Sequence, residues 1–340
     1  MRLQKMLVVV AVLWTMAVIV LGAYTRLTDA GLGCPDWPGC YGFLQVPQQD
    51  THIELAEARF PDRPLEAGKA WNEMVHRYFA GTLGLLILVL FINGWRHQQR
   101  RVPALLLALV VFQAALGMWT VTLALHPVVV MAHLLGGFSL LSLLALHWWQ
   151  LQPRPVWQVS QTLKKLFWPV LLVLTGQIAL GGWTSANYAA LSCIQLPLCE
   201  PGWMDRLNFD EAFSLHLGYD SYEFGVMSLD ARATVHLMHR VWALVTAVVV
   251  LGYAWLLWRQ GAAVLRTFAL LIGLLLFLQI SLGVANVVLH LPLINAVAHN
   301  FVAANLLMCL VCSGYLLHST KESLYAENSI IAASGQQSVA

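Results

Sequence analysis

Four histidines stand where a histidine is costly. His76, His133, His239 and His299 fall inside long apolar runs. An imidazole in a lipid-spanning segment needs a partner, so intramembrane histidines are functional candidates by default. All four lie a few residues past the outer end of their runs, at a matched depth on the order of 5–10 Å below the outer surface. Two imidazoles at one depth clamp a flat macrocycle, and the pattern reads as two haem sites, each with a pair of histidines on the iron. Ala80, Gly81, Gly84, Ala132, Gly136, Gly137, Ala243, Ala303 and Ala304 leave room for a planar ligand between helices. The plainer alternative is small-residue helix packing with histidines hydrogen-bonded across the bundle. Zinc fits less well, because one histidine per helix with no thiolate at that depth makes a poor tetrahedral set.

Glu73 stands three residues before His76 and shares its helical face, within reach of whatever that histidine binds. A carboxylate beside a macrocycle relays protons or stabilises positive charge on a substrate carbon, which an electron-transfer haem does not require. The plainer reading is a helix-start carboxylate favoured by the dipole. The matching place before His239 holds His236, a proton group, a spare ligand or filler. Arg77 and Arg240 follow two of the histidines near the water interface, where a guanidinium either pairs with outward-pointing haem propionates or snorkels. Cys34 and Cys40 share one hydrophilic loop, and Cys193 and Cys199 another. In an oxidising compartment the expectation is two local disulfides, Cys34–Cys40 and Cys193–Cys199, with a thiol redox role for the first pair as the alternative. Cys309 and Cys312 read as inert thiols within the last apolar run.

Positioning these groups takes a membrane. With 59% hydrophobic and 11% charged residues among 340, most of the chain's apolar surface must face lipid. Runs long enough to cross about 30 Å of hydrocarbon fall near 7–24, 74–94, 103–125, 128–148, 167–184, 233–257, 265–289 and 293–317. The expected fold class is therefore an all-α membrane protein with eight transmembrane helices. Lys and Arg cluster at Arg2 and Lys5, at Arg96, Arg100 and Arg101, at Arg154, Lys164 and Lys165, at Arg259 and Arg266, and at Lys321. That places these segments and both termini in the cytoplasm. The long loops 25–73 and 185–232 hold most of the carboxylates and face the periplasm, so the haem sites lie near the periplasmic side of a bacterial inner (cytoplasmic) membrane. The first run lacks a small-residue cleavage site and is expected to be retained. Trp95, Trp148, Trp149 and Trp258 sit at inner span ends, in the headgroup zone. No basic cluster coincides with a nucleic-acid module, and no nucleic-acid partner is expected.

The chain also repeats itself. Gly22, Thr25, Cys34 and Cys40 align without a gap on Gly181, Thr184, Cys193 and Cys199, a shift of 159 residues. His76 and Arg77 match His239 and Arg240 at a shift of 163, and Gln113, Gly117 and His133 match Gln279, Gly283 and His299 at 166. Residues 1–150 and 151–325 thus read as two four-helix halves. Because four is even, they are parallel repeats about an axis along the membrane normal. Residues 326–340 are polar and small, the composition of a disordered tail.

The run from Gly22, Tyr24, Thr25 and Arg26 through Cys34, Pro35, Asp36, Trp37, Pro38, Gly39 and Cys40, then Glu73, His76, Arg77 and Gly81, closely resembles haem A synthase. The resemblance covers nearly the whole chain. It implies an oxidoreductase that converts the C8 methyl group of haem O into a formyl group by two successive oxidations. The product, haem A, goes to cytochrome oxidase assembly, and haem b is a bound cofactor. Residue by residue, it implies His76 and His133 as iron ligands of the substrate haem O and His239 and His299 as those of haem b. It also implies Glu73 as the catalytic glutamate and Cys34 with Cys40 as the family's first-loop pair; the second pair is present only in some members. A haem O synthase as upstream supplier and an unidentified electron-transfer partner follow from the same resemblance. With two histidines on the iron no position remains for oxygen, so either one ligand leaves or electrons are drawn from the macrocycle and water attacks. The competing functions are a di-haem b-type electron-transfer cytochrome and a haem carrier; Glu73 and the unequal halves favour the enzyme.

Overall fold

The computed structural model describes residues 2–96, 100–153 and 159–319. Its helices are α1 (Arg2–Leu27), α2 (Asp50–Arg59), α3 (Ala67–Arg96), α4 (Arg101–Thr122), α5 (Pro127–Gln150), α6 (Gln161–Ala186), α7 (Phe209–Ala212), α8 (Leu229–Trp258), α9 (Ala263–Val288) and α10 (Leu293–His318), with a 3-10 turn at Trp203–Arg206. All but α2 and α7 are long and apolar enough to cross a membrane. Only helices satisfy every backbone group internally where no water is present, and among the described residues the sole β pairing is one bridge between Cys40 and Phe43. Arg154, Lys321 and the expected tail, 326–340, lie outside the described residues.

The eight expected spans are all present, with ends moved by a few residues. The largest difference matters for function. Helix α3 begins at Ala67 rather than at 74, so Glu73 sits inside it, in its second turn, and not at a helix start. At the other end of the pattern, α4 stops early because Ala124 and Leu125 take left-handed backbone angles, with φ of 44° and 64°. His290 and Leu291 do the same after α9, at 56° and 63°. Non-glycine residues adopt this region only when the surroundings impose it. In both turns one hydrogen bond of 2.7 Å closes the link, from Leu125 N to Thr120 O and from Leu291 N to Asn286 O. All these positions correspond at the shift of 166.

Helices α5 and α10 form the centre and pack on each other; α1 and α6 contact both, while α3, α4, α8 and α9 lie outside. Burial follows this order, with 67% of the apolar window of α10 buried against 17% for α1 and α3. One apolar core joins Phe138 and Leu141 of α5 to α6, α8, α9 and α10. Another joins Val8, Leu83, Ile87, Leu106, Leu140 and Leu144 of the first four spans. Above the bundle the two long loops meet: Arg63 pairs with Glu223 at 2.8 Å and a cavity of about 210 Å³ lies between them, while Tyr222 N ties the second loop to Ala124 O of the α4–α5 link at 3.0 Å.

Gly314 of α10 gives its space to the Phe167 ring of α6, which lies where a Cβ would be. Gly314→Ala is expected to cost roughly 1–3 kcal/mol by overpacking, read as a lower Tm in detergent; an unchanged Tm would show that the helices separate freely there. In the second loop, Glu211 accepts from Ser228 N and Ser228 Oγ, both at 2.6 Å, and these bonds hold its carboxyl below the ordinary value of 4.5. A depressed carboxyl contributes stability above its unfolded pKa and loses it as pH falls through the folded one. Limited proteolysis of residues 203–228 is therefore expected to accelerate below the carboxylate range, and Glu211→Gln to cleave at the fast rate at all pH values.

Candidate functional site

The spans bring each of the four histidines against a neighbouring helix: His76 of α3 against α1, His133 of α5 against α4, His239 of α8 against α6, and His299 of α10 against α9. Each ring lies against a glycine of a neighbouring helix. A Cβ on Gly22 would come within 2.8 Å of His76 Cε1, on Gly181 within 3.1 Å of His239 Cε1, on Gly117 within 3.6 Å of His133 Cε1, and on Gly283 within 3.2 Å of His299 Cε1. Gly22 and Gly181 correspond in sequence, as do Gly117 and Gly283. Of the small residues expected to leave room for a planar ligand, Gly81 and Gly84 border open space, with nothing within 4 Å of an added Cβ, whereas Gly136 faces the Gln113 carboxamide. The repeat alignment already held all four glycines, but it did not say that they face the rings.

The residues fit a haem held by two histidines. Every ring is half-buried, and Nδ1 of His76, His133 and His299 is enclosed with no partner among the described residues. Buried unpaired polar atoms call for a missing partner. Glutamines surround the set. Gln279 Nε2 lies 3.1 Å from His299 Nε2, and Gln177 Nε2 lies 3.1 Å from His239 Nδ1. Gln113 is 8% exposed, and its Nε2 has no partner among the described residues. Gln177 was not singled out from sequence; reading the gapless repeat one turn further back, where it stands opposite Val18, is the signal that finds it.

Above the histidines each disulfide loop is clasped by the arginine that follows the histidine of α3 or α8. Cys34–Cys40 and Cys193–Cys199 are both formed. Arg77 donates to the carbonyls of Asp36, Pro38 and Gly39, and Arg240 to those of Cys193, Gln195 and Leu198. The clasps then diverge. Glu73 is 5% exposed; one carboxylate oxygen pairs with Arg77 and the other accepts from Cys34 N at 2.8 Å. At the corresponding place His236, also 5% exposed, accepts from Arg240 Nε at 3.4 Å and leaves Nδ1 without a partner among the described residues. Cys309 and Cys312 are free and buried away from this layer. The group of Cys193, Cys199 and Glu200 is no metal set, since both sulfurs are consumed in a disulfide.

The glycine seats make a graded prediction. Gly22→Ala must displace the His76 ring, whereas a methyl at Gly117 makes ordinary contact with His133. Purified Gly22→Ala protein is expected to hold haem roughly 10-fold more weakly in the first histidine pair, and Gly117→Ala to retain it. Equal haem-to-protein ratios in the two variants would remove the seating role.

Comparison with known proteins agrees with this geometry. A family described as cytochrome oxidase assembly protein, COX15-CtaA, matches residues 5–311. The chain is 50% identical over 314 residues to a protein of Shewanella oneidensis named "Heme A synthase", covering 91% of this chain and 94% of that one. Proteins of the same name from Maricaulis maris and Rhizorhabdus wittichii are 27% and 28% identical, covering 91% and 94% of this chain and 94% and 95% of their own lengths. A match over that much of the length, joined to eight helices and a duplicated histidine layer, settles the kinship: this chain belongs to the COX15-CtaA family of cytochrome oxidase assembly proteins.

Proposed function

We propose that the chain is a haem A synthase, an oxidoreductase of the inner membrane that oxidises the C8 methyl group of haem O to the formyl group of haem A. The observation that carries this reading is the inequality of two otherwise matched sites: a buried, doubly held carboxylate stands one turn from His76, where the other half has His236. Identity of 50% to a protein named "Heme A synthase" supports it. In this reading residues 1–150 hold the substrate on His76 and His133, and residues 151–325 hold haem b on His239 and His299. Haem b, when bound, supplies one-electron redox chemistry. The halves are parallel repeats with both termini cytoplasmic and both disulfide loops periplasmic. Haem O synthase supplies the substrate, cytochrome oxidase assembly consumes the product, and a further electron-transfer partner is required.

The chain's own residues divide the work by position. The histidine pair and its glycine seats bind and orient the substrate. Arg77 and Arg240 are the cations on offer to the propionates, sharing that task with their loop carbonyls. Turning a methyl into a formyl group removes four electrons and releases protons, so the reacting carbon needs a proton acceptor or a negative charge nearby. Glu73 is that group. The Cys34 amide and Arg77 hold its carboxylate in a fixed direction, and a preoriented charge needs no reorganisation at the moment of reaction.

Glu73→Ala is expected to bind haem at both sites yet form haem A about 10²–10⁴-fold more slowly, measured by chromatography of haems extracted from membranes supplied with haem O. Wild-type turnover would sink the assignment. His76→Ala and His239→Ala are expected to lose haem O and haem b respectively; the opposite losses would exchange the roles of the halves.

A further inference from the structure

The two arginine clasps differ in where their charge goes. Arg77 pairs with the Glu73 carboxylate, so the first clasp carries no net charge. Arg240 gives its donors to the carbonyls of Cys193, Gln195 and Leu198 and to His236, and it pairs with no carboxylate among the described residues. Glu200, the acid beside the second disulfide, accepts instead from Ile194 N at 2.9 Å. The second clasp keeps its positive charge.

An arginine nitrogen can only donate, so the His236 Nε2 atom that Arg240 Nε meets at 3.4 Å offers a lone pair. The single proton of the ring is then on Nδ1. That atom is buried, on a residue 5% exposed, and no acceptor reaches it among the described residues. A buried N–H without an acceptor calls for one. His236 shares a helical face with His239, three residues on, and stands nearer the outer end of α8. It is thus on the side of the helix from which His239 would hold a haem, and towards the water, where the two carboxylates of a haem are least costly to place.

We propose that His236 is a binding residue of the C-terminal haem, donating from Nδ1 to a propionate carboxylate whose charge Arg240 balances. Glu73 at the corresponding place repels such a carboxylate and already draws on the charge of Arg77. The C-terminal half therefore grips its haem by the acid end and retains it. The N-terminal half, where Arg77 shares its charge with Glu73, grips less firmly and lets a product leave. The proposal rests on the reading that His239 and His299 hold haem b.

The test uses full-length protein in a His76→Ala background, which empties the first site, reconstituted with haem b or with its dimethyl ester, a probe without free carboxylates. Release to excess apomyoglobin is followed by absorbance. His236→Leu is expected to release haem b roughly 10-fold faster, with its low-spin spectrum unchanged, and to release the ester at the rate of the parent protein. His236→Asn, which keeps an N–H at the place of Nδ1, is expected to hold haem b at close to the parent rate. His236→Glu, which reproduces the first half, is expected to release it faster than His236→Leu. Equal acceleration for haem b and its ester would reduce His236 to a packing residue, and parent rates in both the Leu and Glu variants would leave water as its acceptor; either result overturns the proposal. Full haem b content in His239→Ala would instead overturn the reading beneath it, so the two failures are told apart.

Discussion

The contact between an imidazole and a glycine on the next helix is the constraint on which the rest of this structure depends. The rings of His76, His239 and His299 crowd the space a larger residue would need, and at Gly22 a single added carbon would come within 2.8 Å of the ring. In lipid, apolar side chains gain little by leaving one surrounding for another, so close helix approach has to come from packing and small residues. The glycines supply the approach, and the histidine rings fill the space it leaves between helices.

The outer layer holds this arrangement from above. Each disulfide turns a loop back on itself, and Arg77 or Arg240 gathers the loop's carbonyls over the end of its own helix. Near the centre of the bundle Arg26 donates to the carbonyl of Ser185, its own counterpart under the repeat, at 2.5 Å, and lies 4.0 Å above the Tyr188 ring. Duplicated backbone turns and a bond between equivalent positions make the two outer ends alike. Against that likeness, the substitution of a carboxylate by an imidazole at Glu73 and His236 is a local change in charge with no change of frame.

Other differences between the halves show how a duplicated frame absorbs change. Trp14 of α1 donates to the Phe79 carbonyl of α3, whereas in the second half Trp242 of α8 donates to the Val173 carbonyl of α6. Trp14 corresponds to Val173 and Phe79 to Trp242, so the same helix pair keeps its bond with the indole on the opposite partner. At the inner end, Gln4, Asn93 and His147 form a buried polar network, where the corresponding residues are Leu163, Leu256 and Ser313. Ser313 is served instead by Tyr253 at 2.9 Å. At this inner end each side gives its buried polar groups partners of their own, which is the condition for burying them at all.

The sequence by itself determined the helices, because length and apolarity suffice where the solvent is lipid: all eight spans were legible, as were the two cysteine pairs. These properties are local or periodic. Glu73 was legible as a neighbour of His76, since three residues along a helix is a fixed distance. Only the tertiary structure decided what lies across from each group. It put Gly22, Gly117, Gly181 and Gly283 against the rings, turned Arg77 and Arg240 onto loop carbonyls, tied Glu73 to the Cys34 amide and set Gln177 beside His239. Each of these contacts joins residues at least 16 positions apart, and a helix's own periodicity carries no information about which face of a neighbour it will meet.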